Sequence, residues 1–528
     1  MKVNSSNIEN NTNSKLSSKY ILILLVGIYI LMISWGLLSD STWDDDCAMR
    51  YYNAKDALQN PRQFINIWNR PLFIILFALP VQLGKEMIIF QMAFISILTC
   101  YLLYKSAIIN NISNAYLIIP FTAFQTYYFP ISFNALSEPL SAFLLALGLY
   151  SYSKKNYFIF SISGSLLPLA RLELSLLLLI WFIILIKEKQ IKFIPVLFVP
   201  IAIWNFAGTY FDGDVFWLYN NTIGNSLEKN RYGNIGFWSY FHRYIFVIGP
   251  VIFYFLLIGI FESIYSKKFN LFIHIQFFLG FMIYVIFSWK LSLGQAAGFL
   301  RHLIVLSPLV SYIALNGYNY WIDSTNYKDR KNRILYYSIV VISLTYFFLS
   351  KKIISHHIIS NNPEYYKLII ILTLFFIFIF LNYFSKSIQI NKFTKLLIPL
   401  FVISITAGYT MITEPPNNHE NQERQIMKKI SEWYIDNNLD EKKTYANHIW
   451  FFYSTDLNRN STNFERVKKE NLNNAKPNSI VIWESHYSHR LFGDVTLEYF
   501  KNNSKFNEIA RIISSDRRFG VIVYQTIK

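Results

Sequence analysis

Apolar residues along this chain come in long uninterrupted runs, without the three-and-four spacing of a surface helix or the alternation of a half-buried strand. The runs Tyr20 to Leu38, Tyr244 to Phe261, Leu271 to Trp289 and Leu368 to Leu381 meet or approach the roughly 20 residues that a helix needs to cross about 30 Å of hydrocarbon. Each predicts a membrane-spanning helix. Three other stretches are too long for a single span: Ala115 to Tyr150 would extend about 50 Å as one helix. Breaks are predicted at Gly84, Lys85 and Glu86, at the polar patch Ser132, Asn134, Ser137, Glu138 and Pro139, and at Pro168 with Arg171 and Glu173. With Pro71 to Leu83 read as a half-helix at the interface and the other two stretches as hairpins, the pattern predicts an all-α polytopic membrane protein of about thirteen transmembrane helices.

Composition agrees, with 53% of the 528 residues hydrophobic and 15% charged. The net charge of +17 and pI near 9.4 do not indicate a nucleic-acid partner, because the Lys and Arg residues are scattered through short loops between apolar runs. They read instead as a topology signal. Lys15 and Lys19, Lys105, Lys154 with Lys155, Lys187 to Lys192, Lys267 with Lys268, Lys328 to Arg333 and Lys386 to Lys395 fall on one, cytoplasmic, side, and only Lys351 and Lys352 fall on the other. An odd number of spans then places the C-terminus outside, with the loops Asp40 to Arg70, Gly208 to Tyr240 and Lys290 to Leu300. The first run lacks a small-residue cleavage pattern and is read as a retained anchor.

Three regions follow. Residues 1–19 are Asn/Ser-rich and read as a disordered cytoplasmic tail. Residues 20–413 form the membrane region, with an outer loop at 39–70. After Glu414, Pro415 and Pro416 the composition becomes that of a soluble extracytoplasmic domain at 414–528. It carries a helix pattern (Ile426, Ile430, Trp433) and strand-like runs at Ser479 to Trp483 and Phe519 to Tyr524, the marks of a small α/β fold. Cys47 and Cys100 cannot build a disulfide framework.

The loop after the first span opens Trp43-Asp44-Asp45-Asp46-Cys47-Ala48-Met49-Arg50-Tyr51-Tyr52. If it starts a helix, Ser41 or Thr42 can cap it, the carboxylates face the positive helix end, and Asp46 can reach Arg50. Three adjacent carboxylates repel one another, which raises at least one pKa and suits a general base. The same cluster would suit a divalent cation, the one cofactor considered. In the tail, Glu484-Ser485-His486-Tyr487-Ser488-His489 has metal-like residue types but no third spaced ligand, and it reads as a polar loop.

The loop Asp44 to Tyr52, followed by Trp68-Asn69-Arg70-Pro71-Leu72 and an apolar half-helix, resembles the first outer loop of the GT-C class of polyprenyl-phosphate-sugar-dependent glycosyltransferases, in their bacterial protein O-mannosyltransferase and aminoarabinose transferase-like branches. There an acidic pair after the first span precedes aromatic residues and a Pro-initiated helix ending in Gly. Asp45-Asp46, Tyr51-Tyr52 and Gly84 match those positions. Leu136-Ser137-Glu138-Pro139-Leu140 and Ala170-Arg171-Leu172-Glu173 are similar to the family's Glu and Arg-x-Glu positions. Ala297-Gly298-Phe299-Leu300-Arg301-His302-Leu303 with Ser307-Pro308 resembles its Gly-x-x-Arg-Tyr stretch, with His302 in place of Tyr.

The resemblance implies a general base at Asp45, with Asp44 and Asp46 as the alternative registers. It also implies donor-phosphate contacts at Arg301, Arg171 and His302, support from Arg50, Glu138, Glu173 and Arg70, inversion at the anomeric carbon and no strict metal requirement. The chemistry asks for the same residue types. Departure of a polyprenyl phosphate needs cations to hold its developing charge, and attack by an acceptor hydroxyl needs a carboxylate to take its proton. The implied partners are a polyprenyl-phosphate sugar and a lipid, glycan or protein acceptor, in a bacterial inner membrane and with no nucleic acid. The rival functions are a flippase for lipid-linked sugars and a surface-polysaccharide polymerase or ligase. A flippase would need polar residues at mid-bilayer, and a ligase a large Arg-rich outer loop late in the membrane region.

Overall fold

The computed structural model describes residues 18–39, 44–224, 235–267, 269–291, 299–322, 338, 392–413, 422–491 and 495–527. The chain divides into two compact units. The first comprises Met1–Ser41 and Asn60–Pro416, the second Thr42–Gln59 and Asn417–Lys528. The loop 39–70, expected to belong wholly to the membrane region, is therefore divided, and its acidic segment folds with the tail.

The first unit is helical. Its α1 (Ser18–Leu38) is apolar all round, as a lipid-facing helix must be. The second unit's α2 (Asp45–Asp56) follows, then α3 (Pro71–Phe77) and α4 (Glu86–Ile109). The predicted half-helix Pro71 to Leu83 is shorter than expected. A Pro at position 80 opens a separate 3-10 turn, Pro80–Leu83, and Gly84, at φ 126°, ends it in a backbone conformation that only glycine adopts readily.

The polar patch breaks the next stretch more finely than the expected hairpin. Here α5 (Ile118–Ala123) and α6 (Tyr128–Ile131) are single turns before α7 (Glu138–Ser153). Gln125 and Asn134 supply the reason, each donating its amide to a carbonyl four residues back, Phe121 and Pro130, and so satisfying helix-end acceptors that lipid cannot. The third break falls where expected. After α8 (Tyr157–Ala170), Arg171 is extended at φ −154°, and a 3-10 segment, Leu172–Leu177, leads into α9 (Leu178–Lys187).

Five helical stretches are long and apolar enough to cross a bilayer among the described residues: Ser18–Leu38, Glu86–Ile109, Ile191–Asp212, Leu271–Lys290 and Leu300–Ile322. They contain α1, α4, α10 (Val199–Asp212), the helix Gln276–Ile286 at the centre of the 271–290 run, and the helix Ser307–Ile322. The predicted single span Tyr244 to Phe261 is instead a pair, Ser239–Ile248 and Pro250–Tyr265, bent by 115° at Gly249 (φ 86°), because Pro250 cannot continue the first helix. The expected run Leu368 to Leu381 and the cations Lys328 to Arg333, Lys351, Lys352 and Lys386 lie outside the described residues, as do Ser41 and Thr42.

The second unit is a five-stranded sheet of order β2-β1-β3-β5-β4. Strands β1 (Thr444–Ala446), β2 (Phe464–Glu465) and β3 (Ile480–Glu484) are parallel, while β4 (Phe506–Ile513) and β5 (Gly520–Thr526) add an antiparallel edge. The predicted strands are β3 and β5. The predicted helix is Gln422–Asp436, which buries Ile426, Met427, Ile430 and Tyr434, with Tyr434 taking the place expected for Trp433. One face of the sheet closes over Tyr445, Val481, Trp483, Phe500, Ile522 and Tyr524.

Candidate active site

In the second unit, Asp44 is the N-cap of α2. Its carboxylate accepts the Cys47 amide at 3.2 Å, so the helix takes the first Asp of the cluster as its cap. That frees the next residue for other partners. Asp45 accepts the Trp450 indole N–H at 2.6 Å on one carboxylate oxygen and the Tyr487 hydroxyl in a short bond on the other. Asp46 follows in the same turn, and Arg50 is buried one turn later.

Each partner of Asp45 is itself held. Trp450 lies on the helix Ile449–Thr455, and the Arg424 guanidinium covers its ring at 4.6 Å. That helix packs on α2, where Tyr52 donates its hydroxyl to the Phe452 carbonyl and Lys55 pairs with Asp456 at 2.8 Å. Burial pushes the Tyr487 phenol well up, and the Asp45 carboxylate pushes it further, so the hydroxyl stays a donor. A carboxylate held by two neutral donors still has lone pairs open for an incoming proton.

Tyr487 follows β3 in a turn organised by Glu484. This fully buried carboxylate accepts the amides of His486 and Tyr487 at 2.8 Å each and of Ser488 at 2.6 Å. The polar loop of the sequence is thus a carboxylate nest that presents His486. Glu423, His448 and His486 meet there, with both imidazoles 2.6 Å from the same Glu423 oxygen. Burial alone would raise the Glu423 carboxyl, but the two imidazole donors and their charge hold it well below the usual carboxylate range. Burial alone would lower both imidazoles, and the bond to Glu423 raises them above their ordinary value.

In the first unit, Glu138, Arg171, Arg301 and His302, all buried, form one cluster with the partly buried Glu173 and Arg70. Arg171 lies between two carboxylates, with Nη1 2.6 Å from Glu138 and Nε 2.6 Å from Glu173. Arg70 stands 3.8 Å from the other Glu173 oxygen, Arg301 3.5 Å and His302 3.9 Å from Glu138. Local structure places each group. Glu138 opens α7, where the helix dipole favours a carboxylate, and Arg171 closes α8, where it favours a cation. Arg301 and His302 sit in the 3-10 segment Leu300–Leu306, with the guanidinium 4.7 Å over the Phe299 ring. Arg70 has φ 64° directly before Pro71, a conformation that costs about 1–3 kcal/mol and clusters at functional sites.

Among the described residues, three guanidiniums gather here around two carboxylates. Arg171 is neutralised on both sides, as a structural ion pair would be. Arg301 is the cation at the greater distance from Glu138, and it is the better suited of the two to an anionic ligand. Sequence reasoning missed Trp450, Glu423 and His448, because each lies hundreds of residues from Asp45 or tens from His486.

No family model matches the chain, and no curated protein sequence does. Among solved structures, ArnT from Cupriavidus metallidurans bound to undecaprenyl phosphate is similar at 10% identity and a TM-score of 0.60 over 96% of this chain and 98% of that one. The apo structure of the same protein is similar at 9% identity and a TM-score of 0.62 over the same shares. The likeness runs through the helical body and the sheet domain alike, and the chain is an integral membrane protein with the GT-C architecture of ArnT.

Proposed function

We propose that this protein is a membrane glycosyltransferase that moves a monosaccharide from a polyprenyl-phosphate donor to an acceptor hydroxyl, with inversion, on the extracytoplasmic face of a bacterial inner membrane. The observation that carries this reading is the gathering of Arg70, Arg171 and Arg301 around Glu138 and Glu173 in the helical body. Guanidiniums gathered in one place suit the charge and geometry of a phosphate, and a lipid-linked phosphate is an anion delivered from within the bilayer. In this reading Arg301 stabilises the phosphate as the sugar leaves, and His302 and Arg70 support it. Asp45, fixed by Trp450 and Tyr487, takes the proton from the acceptor hydroxyl as the new bond forms. The likeness to a structure bound to undecaprenyl phosphate favours such a donor lipid.

The test is to incubate purified protein with a panel of polyprenyl-phosphate monosaccharides and follow release of polyprenyl phosphate. Release with one donor, stimulated by an acceptor lipid, glycan or protein, is the expected result. Protein that binds such donors but never cleaves them would support the flippase reading instead.

A further inference from the structure

The cluster Glu423, His448 and His486 is drawn from three separate places: the first turn of the helix Gln422–Asp436, the residue before the helix Ile449–Thr455, and the turn after β3. Their three ligand atoms all lie within 4.8 Å of one another, and among the described residues this is the one group of three or more His, Cys, Asp or Glu so placed. We propose that these three residues bind a single zinc-class divalent ion. The proposal does not rest on the transfer activity.

Two imidazoles and a carboxylate are a donor set that selects a borderline transition ion over magnesium or calcium, which prefer all-oxygen ligands. Around a tetrahedral zinc with bonds of about 2.0–2.1 Å, ligand atoms lie about 3.3 Å apart. The imidazoles now stand 2.6 Å from Glu423, so modest separation of three side chains admits the ion. The ligands are also pre-positioned. His448 is fully buried, His486 is set by the Glu484 nest, and the Tyr487 ring stacks on His486 at 4.4 Å and meets His448 edge-on at 4.9 Å. His486 and Glu423 keep partial exposure, 32% and 21% of their side chains, which gives an ion a route in and leaves a fourth position to water.

Binding has a definite proton cost. The His448 Nδ1 accepts the Trp450 amide at 3.3 Å, so without an ion its Nε2 carries the proton and donates to Glu423. An ion at Nε2 shifts that proton to Nδ1 and gives up this long helix-capping bond. The ion replaces it by tying together three elements that otherwise meet through one carboxylate oxygen.

The full-length protein, stripped with EDTA and dialysed, should take up one equivalent of added Zn2+, or of Co2+, with a rise in thermal midpoint. X-ray absorption at the zinc edge of the parent protein should count two imidazole ligands and a low-Z remainder. The exchanges His486→Ala and Glu423→Gln should each weaken Zn2+ binding by about 100-fold or more. Uptake of no ion, fewer than two imidazoles around it, or unchanged affinity in both variants would overturn the site, and the absorption measurement decides even if a variant fails to fold.

Discussion

The division of labour within the Asp44 to Asp46 cluster follows from hydrogen bonding, and it makes the three carboxylates separable by mutation. Asp44 spends one oxygen on the helix cap, and Asp44→Asn keeps a capping acceptor, so activity should stay within a few-fold of the parent. Asp45→Asn keeps the oxygen that accepts from Trp450, while the Tyr487 hydroxyl can rotate to accept from the new amide. Stability should therefore change by only about 1 kcal/mol, whereas loss of the base should lower the transfer rate by about 100- to 10,000-fold with donor affinity little changed. Single-turnover kinetics and a thermal melt measure the two effects separately. If all three Asp→Asn variants transfer at the parental rate, the cluster is only a cap. For Arg301, the 3.5 Å gap to Glu138 means that Arg301→Ala leaves Glu138 still paired with Arg171. The variant should fold and lose about 100-fold in turnover. An unchanged turnover in folded protein would assign Arg301 to the ion-pair network alone.

Elements in this molecule are set by punctuation more than by propensity, and one crossing shows how narrowly. A Cβ added at Gly317 would stand 2.0 Å from the Phe255 carbonyl oxygen, and one added at Gly259 2.1 Å from that of Ile313. The helices Pro250–Tyr265 and Ser307–Ile322 thus touch backbone to backbone, the close approach that small residues permit between helices in lipid. Gly317→Val must push them apart. It should cost about 1–3 kcal/mol or more, read as a lower melting temperature in detergent, and because Arg301 and His302 lie one segment before Ser307, donor turnover should fall with it. A melting temperature equal to the parent's would mean the helices are not in backbone contact. The positions of such breaks were legible in the sequence wherever Pro, Gly or a polar residue interrupts an apolar run, as at Gly84, Glu138 and Arg171. What the runs do between breaks was less so. Hydropathy does not distinguish a straight span from the pair bent at Gly249, or a hairpin from the single turns at 118–131, because lipid exposure and burial select the same side chains.

Across the whole chain, local motifs were visible and long-range assembly was not. The Asp44 to Asp46 cluster stood out by its own residues and Asp45 within it only by the family resemblance, but the donors Trp450 and Tyr487 come from the far end of the sequence, and the third partner that turns His486 from a polar-loop residue into part of a ligand set is Glu423. No local pattern carries such pairings. They have a consequence for topology. Residues 42–59 and 417–528 belong to one folded unit, joined by the bonds of Asp45, Tyr52 and Lys55 to the tail. Both segments must therefore lie on the same side of the membrane, and the chain between them must cross an even number of times. With α1 as one further span, the total is odd. Lys15 ahead of α1 and Lys19 in its first turn set the direction, because short basic segments stay cytoplasmic, so the shared side should be the outer one. A reporter inserted after Gln59, beyond the end of α2, and one fused after Lys528 should both read the extracytoplasmic compartment. Two cytoplasmic readings would reverse the orientation and remove the outer-face reaction with it. One reading of each kind would be incompatible with α2 folding onto the tail, and would take Asp45 away from Trp450 and Tyr487.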